Sequence, residues 1–125
     1  TLSYNGLAIA PVQAMINGAL FEWVVENLLK NSLDALQGQG EIDVRISDDL
    51  EWVYIDVKDT GKGIPKSNFK RIFEPGFTTK TRGWGLGLSL SRRIIEEYHK
   101  GRIYVVDSEP GRGTTIRIAL KRLYA

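Results

Sequence analysis

Apolar residues recur along this chain with two different periods, and the switches between them mark out its elements. From Ala19 to Gln37, Leu20, Phe21, Val24, Val25, Leu28, Leu29, Ser32, Ala35 and Leu36 return at the helical interval and make one broad face, which Gly38 and Gly40 close. Two alternating runs follow, Glu41 to Ser47 and Trp52 to Val57. Ile42, Val44 and Ile46 point one way in the first, and Val53, Ile55 and Val57 do so in the second. The turn-like Ser47-Asp48-Asp49-Leu50 between them predicts an antiparallel hairpin with one buried face. Ser67 to Phe73 reads as a short helical piece that stops before Pro75. Leu86, Leu90, Ile94, Ile95 and Tyr98 then restore the helical period, with Arg92–Glu96 and Arg93–Glu97 on the solvent side and Gly101 at the end. Arg102 to Asp107 and Thr114 to Leu120 predict a second hairpin around Glu109-Pro110-Gly111-Arg112-Gly113. Residues 1 to 17 are mixed, with a short strand over Leu7 to Val12, broken at Pro11.

Composition narrows the function classes. A chain of 125 residues makes one domain with a core of its own. Cysteine is absent, which excludes a disulfide framework, thiol chemistry and zinc-knuckle spacing. The 17 Lys and Arg are scattered among 15 acidic residues, so a nucleic-acid partner is not expected. No apolar run approaches the roughly 20 residues that span a bilayer, so no membrane contact is expected of this domain. The start, Thr-Leu-Ser-Tyr-Asn, has neither an initiator Met nor a signal-peptide profile, and the chain is expected to be an excised domain.

Candidate chemistry gathers in three places. Phe73 to Leu88 carries glycines at 76, 83, 85 and 87, the pair Thr78-Thr79, and the cations Lys80 and Arg82. Such glycines bring backbone N–H groups close to a ligand, and the helix start behind them suits a phosphate; a surface loop without a ligand is the alternative. Asn27 and Asn31 lie i,i+4 on the first helix, with Asn31 at the edge of its apolar face. An amide there is either a core group tied to backbone or an oxygen aimed at a metal or ligand. Asp59 ends a strand ahead of Gly61 and Gly63, as a plain turn residue or as an acceptor for a ligand's amino group. Neither glycine segment satisfies the Rossmann or P-loop fingerprint. His99, the only histidine, sits in the last turn of its helix, where capping is its expected role.

In this order the segments resemble the catalytic ATP-binding domain of sensor histidine kinases, in the superfamily shared with gyrase, Hsp90 and MutL. Glu26-Asn27-Leu28-Leu29-Lys30-Asn31-Ser32 is similar to the N box, Asp59-Thr60-Gly61-Lys62-Gly63 to the first glycine box, and Phe73 to Lys80 to the F box with its lid. Gly83-Trp84-Gly85-Leu86-Gly87-Leu88 resembles the second glycine box and Gly111-Arg112-Gly113-Thr114 the closing Gly-x-Gly-Thr element. The resemblance implies an α/β (α+β) two-layer sandwich of the Bergerat type. It would have a mixed, mostly antiparallel sheet of about five strands, covered on one face by about three helices.

The resemblance also implies roles. Asp59 would accept from the adenine amino group with Thr114 in support, and Asn31 would supply an amide oxygen to Mg²⁺. Asn27, Gly61, Gly63, Gly83, Gly85, Leu86, Gly87, Thr78, Thr79 and Arg82 would contact the nucleotide. Lys80 would act on the phosphates, and Ile64, Phe73 and Leu88 would line the base pocket. Asn27 stands where hydrolysing relatives carry the glutamate that activates water, which favours transfer of the γ-phosphoryl over hydrolysis. ATP or ADP and Mg²⁺ are the implied ligands. The implied partners are a histidine-containing dimerisation domain of the same kinase and a response-regulator receiver domain. The expected setting is cytoplasmic, as the C-terminal fragment of a longer kinase. An ATPase or conformational clamp, a serine kinase of the same fold, and a non-catalytic nucleotide sensor are the alternatives. Trp84, where the family carries a small residue, and Gly76, where it carries an aromatic, depart from the pattern.

Overall fold

The computed structural model describes residues 2–6, 14–76 and 87–123. Helix α1 spans Gly18–Leu36, and the Asn17 side chain caps its start by accepting from the Leu20 N–H at 3.1 Å. At its other end Gln37, rather than a glycine, takes the left-handed conformation at φ 53°, and Gly38 follows. Val24, Leu28 and Ser32 form its buried stripe.

The hairpin that follows is β2 (Ile42–Asp48) with β3 (Trp52–Asp59), and the closing one is β4 (Arg102–Glu109) with β5 (Gly113–Lys121). A further strand, β1 (Leu2–Gly6), precedes them. The strand expected over Leu7 to Val12 lies outside the described residues. The five strands stand in the order β1-β2-β3-β5-β4, and only β1–β2 is parallel. This is the mixed, mostly antiparallel sheet that was expected. β1 is hard to read from sequence because its partner comes only after α1, and a parallel pair needs such a crossover.

Alternate strand residues face the helices. Ile42, Val53, Ile55, Val57, Ile103, Ile116, Ile118 and Leu120 pack with Val24 and Leu28 of α1, with Ile72 and Phe73, and with Ile94 and Ile95. The opposite face carries polar and aromatic groups. There Arg117 forms a bidentate pair with Asp56, at 2.7 and 2.9 Å, and lies over the Tyr54 ring.

Two 3₁₀ turns, Lys66–Asn68 and Arg71–Phe73, replace the single short helical piece. Helix α2 spans Gly87–Arg93 and widens into a π turn over Ile94–Tyr98, closed by the His99 N–H on the Ile94 carbonyl. This element corrects one expectation. Ser91, Ile94 and Ile95 are buried, whereas Leu90 and Tyr98 are exposed. The face that packs against α1 is set by a buried polar contact at Ser91, and the wider turn shifts the register of everything after Arg93. His99 does cap. Its Nδ1 donates to the Ile94 carbonyl at 3.0 Å, and its Nε2 accepts the Asn17 N–H at 3.0 Å, joining the end of this helix to the start of α1.

Candidate functional site

Asp59 ends β3 opposite Thr114, and both are buried. The Asp59 carboxylate accepts from the Gly61 N–H at 2.9 Å, and the Ser32 hydroxyl and the Thr114 backbone N–H also favour its charged form. Burial pushes the Asp59 carboxyl above the ordinary carboxylate value, while those donors pull it back. The outcome is an acceptor held in fixed orientation in a poorly solvated place, which suits an uncharged donor such as an exocyclic amine.

The loop after Asp59 is sewn down by backbone. The Lys62 N–H donates to the Ala35 carbonyl at the end of α1, and the Gly111 N–H donates to the Lys62 carbonyl at 2.7 Å. Gly63 stands at φ 71° with its α-carbon facing the Glu109 carbonyl, so a side chain would meet both strain and a collision. Gly61 packs on the Ala35 backbone and Gly113 on that of Asp59, each too tightly for a Cβ. Ser108 closes the group: its oxygen accepts the Ile64 N–H at 2.8 Å, meets the Gly113 carbonyl at 2.9 Å and the Thr114 hydroxyl at 2.8 Å.

The second half of the site is a seam between α1 and α2. The Asn27 amide nitrogen donates to Ser91 Oγ at 3.1 Å, and that hydroxyl donates to the Gly87 carbonyl at 2.8 Å. Any Cβ on Gly87 would strike the Asn27 amide, so glycine there lets the two helices meet. One turn on, Asn31 donates its amide nitrogen to the Asn27 carbonyl at 3.0 Å, which fixes the amide's two ends. Among the described residues no three His, Cys, Asp or Glu gather as a metal cluster.

The sequence matches the family described as histidine kinase-, DNA gyrase B- and HSP90-like ATPase over residues 17–123. The chain belongs to this family. It is 43% identical over 96 residues to sporulation kinase A of Bacillus subtilis, covering 77% of this chain and 16% of that protein. The nucleotide-free catalytic domain of histidine kinase ThkA superposes with a TM-score of 0.84 at 28% identity, covering 97% of this chain and 79% of that one. ThkA in complex with the response regulator protein TrrA gives 0.81 at 26% identity, covering 98% of this chain and 34% of that one. The chain therefore has the fold of a histidine kinase catalytic domain, and it spans a small part of the full-length kinase it matches. Membership of this ATPase family brings adenine-nucleotide binding with it.

Set against the boxes of the histidine kinase-like ATPases, Asn27, Asn31, Asp59, Gly61, Gly63, Gly87 and Thr114 fall into the two halves just described. Ile64 and Leu88 are half-buried against the core, whereas Phe73 is 5% exposed and is part of the core itself. Thr78, Thr79, Lys80, Arg82, Gly83, Gly85 and Leu86, with Trp84, lie outside the described residues. Gly76 adopts φ 83°, which an aromatic residue takes only with strain. Three serines hold the site without a signal of their own in the sequence. Ser32 falls within an apolar helical face, Ser91 on the buried side of α2, and Ser108 near the end of β4. The usable signal was a small hydroxyl at a position whose helical or strand phase was otherwise apolar.

Proposed function

We propose that this domain binds Mg-ATP and passes its γ-phosphoryl to a histidine on a separate dimerisation domain, for relay to a response-regulator aspartate. The observation that carries the reading is the buried Asp59 carboxylate at the end of β3, oriented by the Gly61 N–H. Asp59 takes the adenine amino group, an interaction open to adenine and closed to guanine, and Thr114 supports it. The sewn glycine loop of Gly61 and Gly63 holds that carboxylate in place without needing the ligand to order it. Asn31, its amide nitrogen engaged with the Asn27 carbonyl, offers its oxygen to Mg²⁺. When bound, the ion takes oxygen ligands, keeps waters and offsets phosphate charge. Gly87 and the residues before it cradle the phosphates, and Lys80 and Arg82 neutralise them.

Asn27 cannot remove a proton from water, and its amide is engaged with Ser91. Both points favour transfer over hydrolysis. ThkA's structure with a response regulator supports the downstream partner. Among the described residues no helix is long and apolar enough to cross a membrane, in keeping with a cytoplasmic module of a longer kinase.

The test is to mix this domain with a histidine-bearing dimerisation domain and follow radiolabel from ATP. Label should appear on the added histidine, be lost with Asn31→Ala, and never accumulate on the isolated chain. Stable label on the isolated chain overturns the reading.

A further inference from the structure

Ser108 has one hydroxyl proton and three polar neighbours, and only one direction of the serine–threonine contact makes hydrogen bonds of all three. The Ile64 N–H can only donate, so Ser108 accepts from it at 2.8 Å. The Gly113 carbonyl can only accept, so Ser108 spends its proton there, at 2.9 Å. With the serine's proton on that carbonyl, the third contact, 2.8 Å to Thr114 Oγ1, carries the threonine's proton toward the serine. With its proton committed, the Thr114 hydroxyl has only lone pairs to offer anything else. Thr114 is also the residue opposite Asp59 whose backbone N–H steadies the carboxylate.

We propose that Ser108 is a positioning residue for base selection, holding the Thr114 hydroxyl as an obligate acceptor beside the Asp59 carboxylate. The inference rests on the reading of Asp59 and Thr114 as the base site. Two acceptors side by side favour a base edge, or a water on that edge, that brings protons. A carbonyl in place of the amino group meets lone pairs on both. Removing Ser108 frees the Thr114 hydroxyl to turn its proton outward and receive a carbonyl. Selectivity therefore weakens through a residue that touches no ligand.

The probes are ADP and inosine diphosphate, which carries a carbonyl in place of the amino group and a proton on the adjacent ring nitrogen. Dissociation constants are measured calorimetrically on the intact domain. With Ser108→Ala the preference for ADP should narrow roughly tenfold, the scale of one net hydrogen bond. Ser108→Thr keeps the hydroxyl and should keep the preference. In a Thr114→Val background Ser108→Ala should leave the remaining ratio unchanged, since the serine acts only through that hydroxyl. If Ser108→Ala fails to fold, Ser108→Cys is judged by the same ratio, because a thiol is a poor acceptor of the threonine proton. Equal weakening of both nucleotides would make Ser108 a brace for the loop alone and overturn the proposal. A wild-type domain that binds neither nucleotide would instead remove the base-site reading, and the proposal with it.

Discussion

The two halves of the site are built by different means. Around Asp59 the positions are set by backbone against backbone: Gly63 on Glu109, Gly113 on Asp59, and the Lys62 amide on the end of α1. Around Asn31 they are set by side chains reaching between helices, Asn27 to Ser91 and Ser91 to the Gly87 carbonyl. Main-chain contacts between strand ends leave little room for a rotamer change, whereas amide and hydroxyl contacts on two helices survive a shift by re-pairing. The base end is thus built as a fixed gauge and the phosphate end as an adjustable one. This suits a ligand whose base stays the same while its phosphates are shortened by one.

Breaking the base end should cost most. Gly63→Ala places a methyl against the Glu109 carbonyl at a positive φ, and about 3 kcal/mol or more of stability should be lost in urea unfolding. An unchanged midpoint would mean that the loop yields and the contrast is false. Asp59→Asn should weaken ADP binding by about two orders of magnitude by calorimetry, because an amide presents a donor where an acceptor is required. The same variant tests the carboxyl's environment. A folded-state pKa raised by burial means that the folded chain holds this proton more tightly than the unfolded one. Wild type should therefore lose stability relative to Asp59→Asn as pH rises through and just above the ordinary carboxylate range, with a constant difference near neutrality. A difference that does not vary with pH would contradict the assigned burial.

At the phosphate end, Ser91→Ala removes the partner of Asn27 and should cost only about 1–2 kcal/mol, read by urea unfolding, with Mg-free ADP affinity nearly unchanged. A loss as large as that of Gly63→Ala would erase the distinction between the two ends. The smallest effect is expected at Tyr98, exposed by 67%. Tyr98→Ser should shift stability by less than about 0.5 kcal/mol, because this residue lies off the packed face of its helix.

Much of this was legible in the residues. Period two and period 3.6 are separated cleanly between Ile42 and Val57 and along α1, so both hairpins and the first helix emerge within a residue or two of their ends. Asp59, with glycines two and four positions on, could be picked out because strand, carboxylate and turn follow one another directly in the chain. What stayed hidden depends on distant pairing. β1 takes its partner from beyond α1, and the buried face of α2 depends on an Asn27–Ser91 contact across 64 residues. Ser108 is legible only after β4 and β5 bring it beside Thr114 and the loop at Ile64. A serine carries no periodic signal of its own, and its value lies in whose proton it holds.

The parallel pairing of Leu2–Gly6 with Ile42–Ile46 has a practical consequence for anyone cutting this module out of a longer polypeptide. The family match begins at residue 17, and a boundary drawn there would discard the outermost strand. Ile42 to Ile46 would then present a bare row of amides and carbonyls to solvent, a surface on which a second molecule can lay its own strand. Material trimmed to that boundary would tend to self-associate, and the few residues ahead of it act as a selvedge that keeps the sheet from fraying into its neighbours.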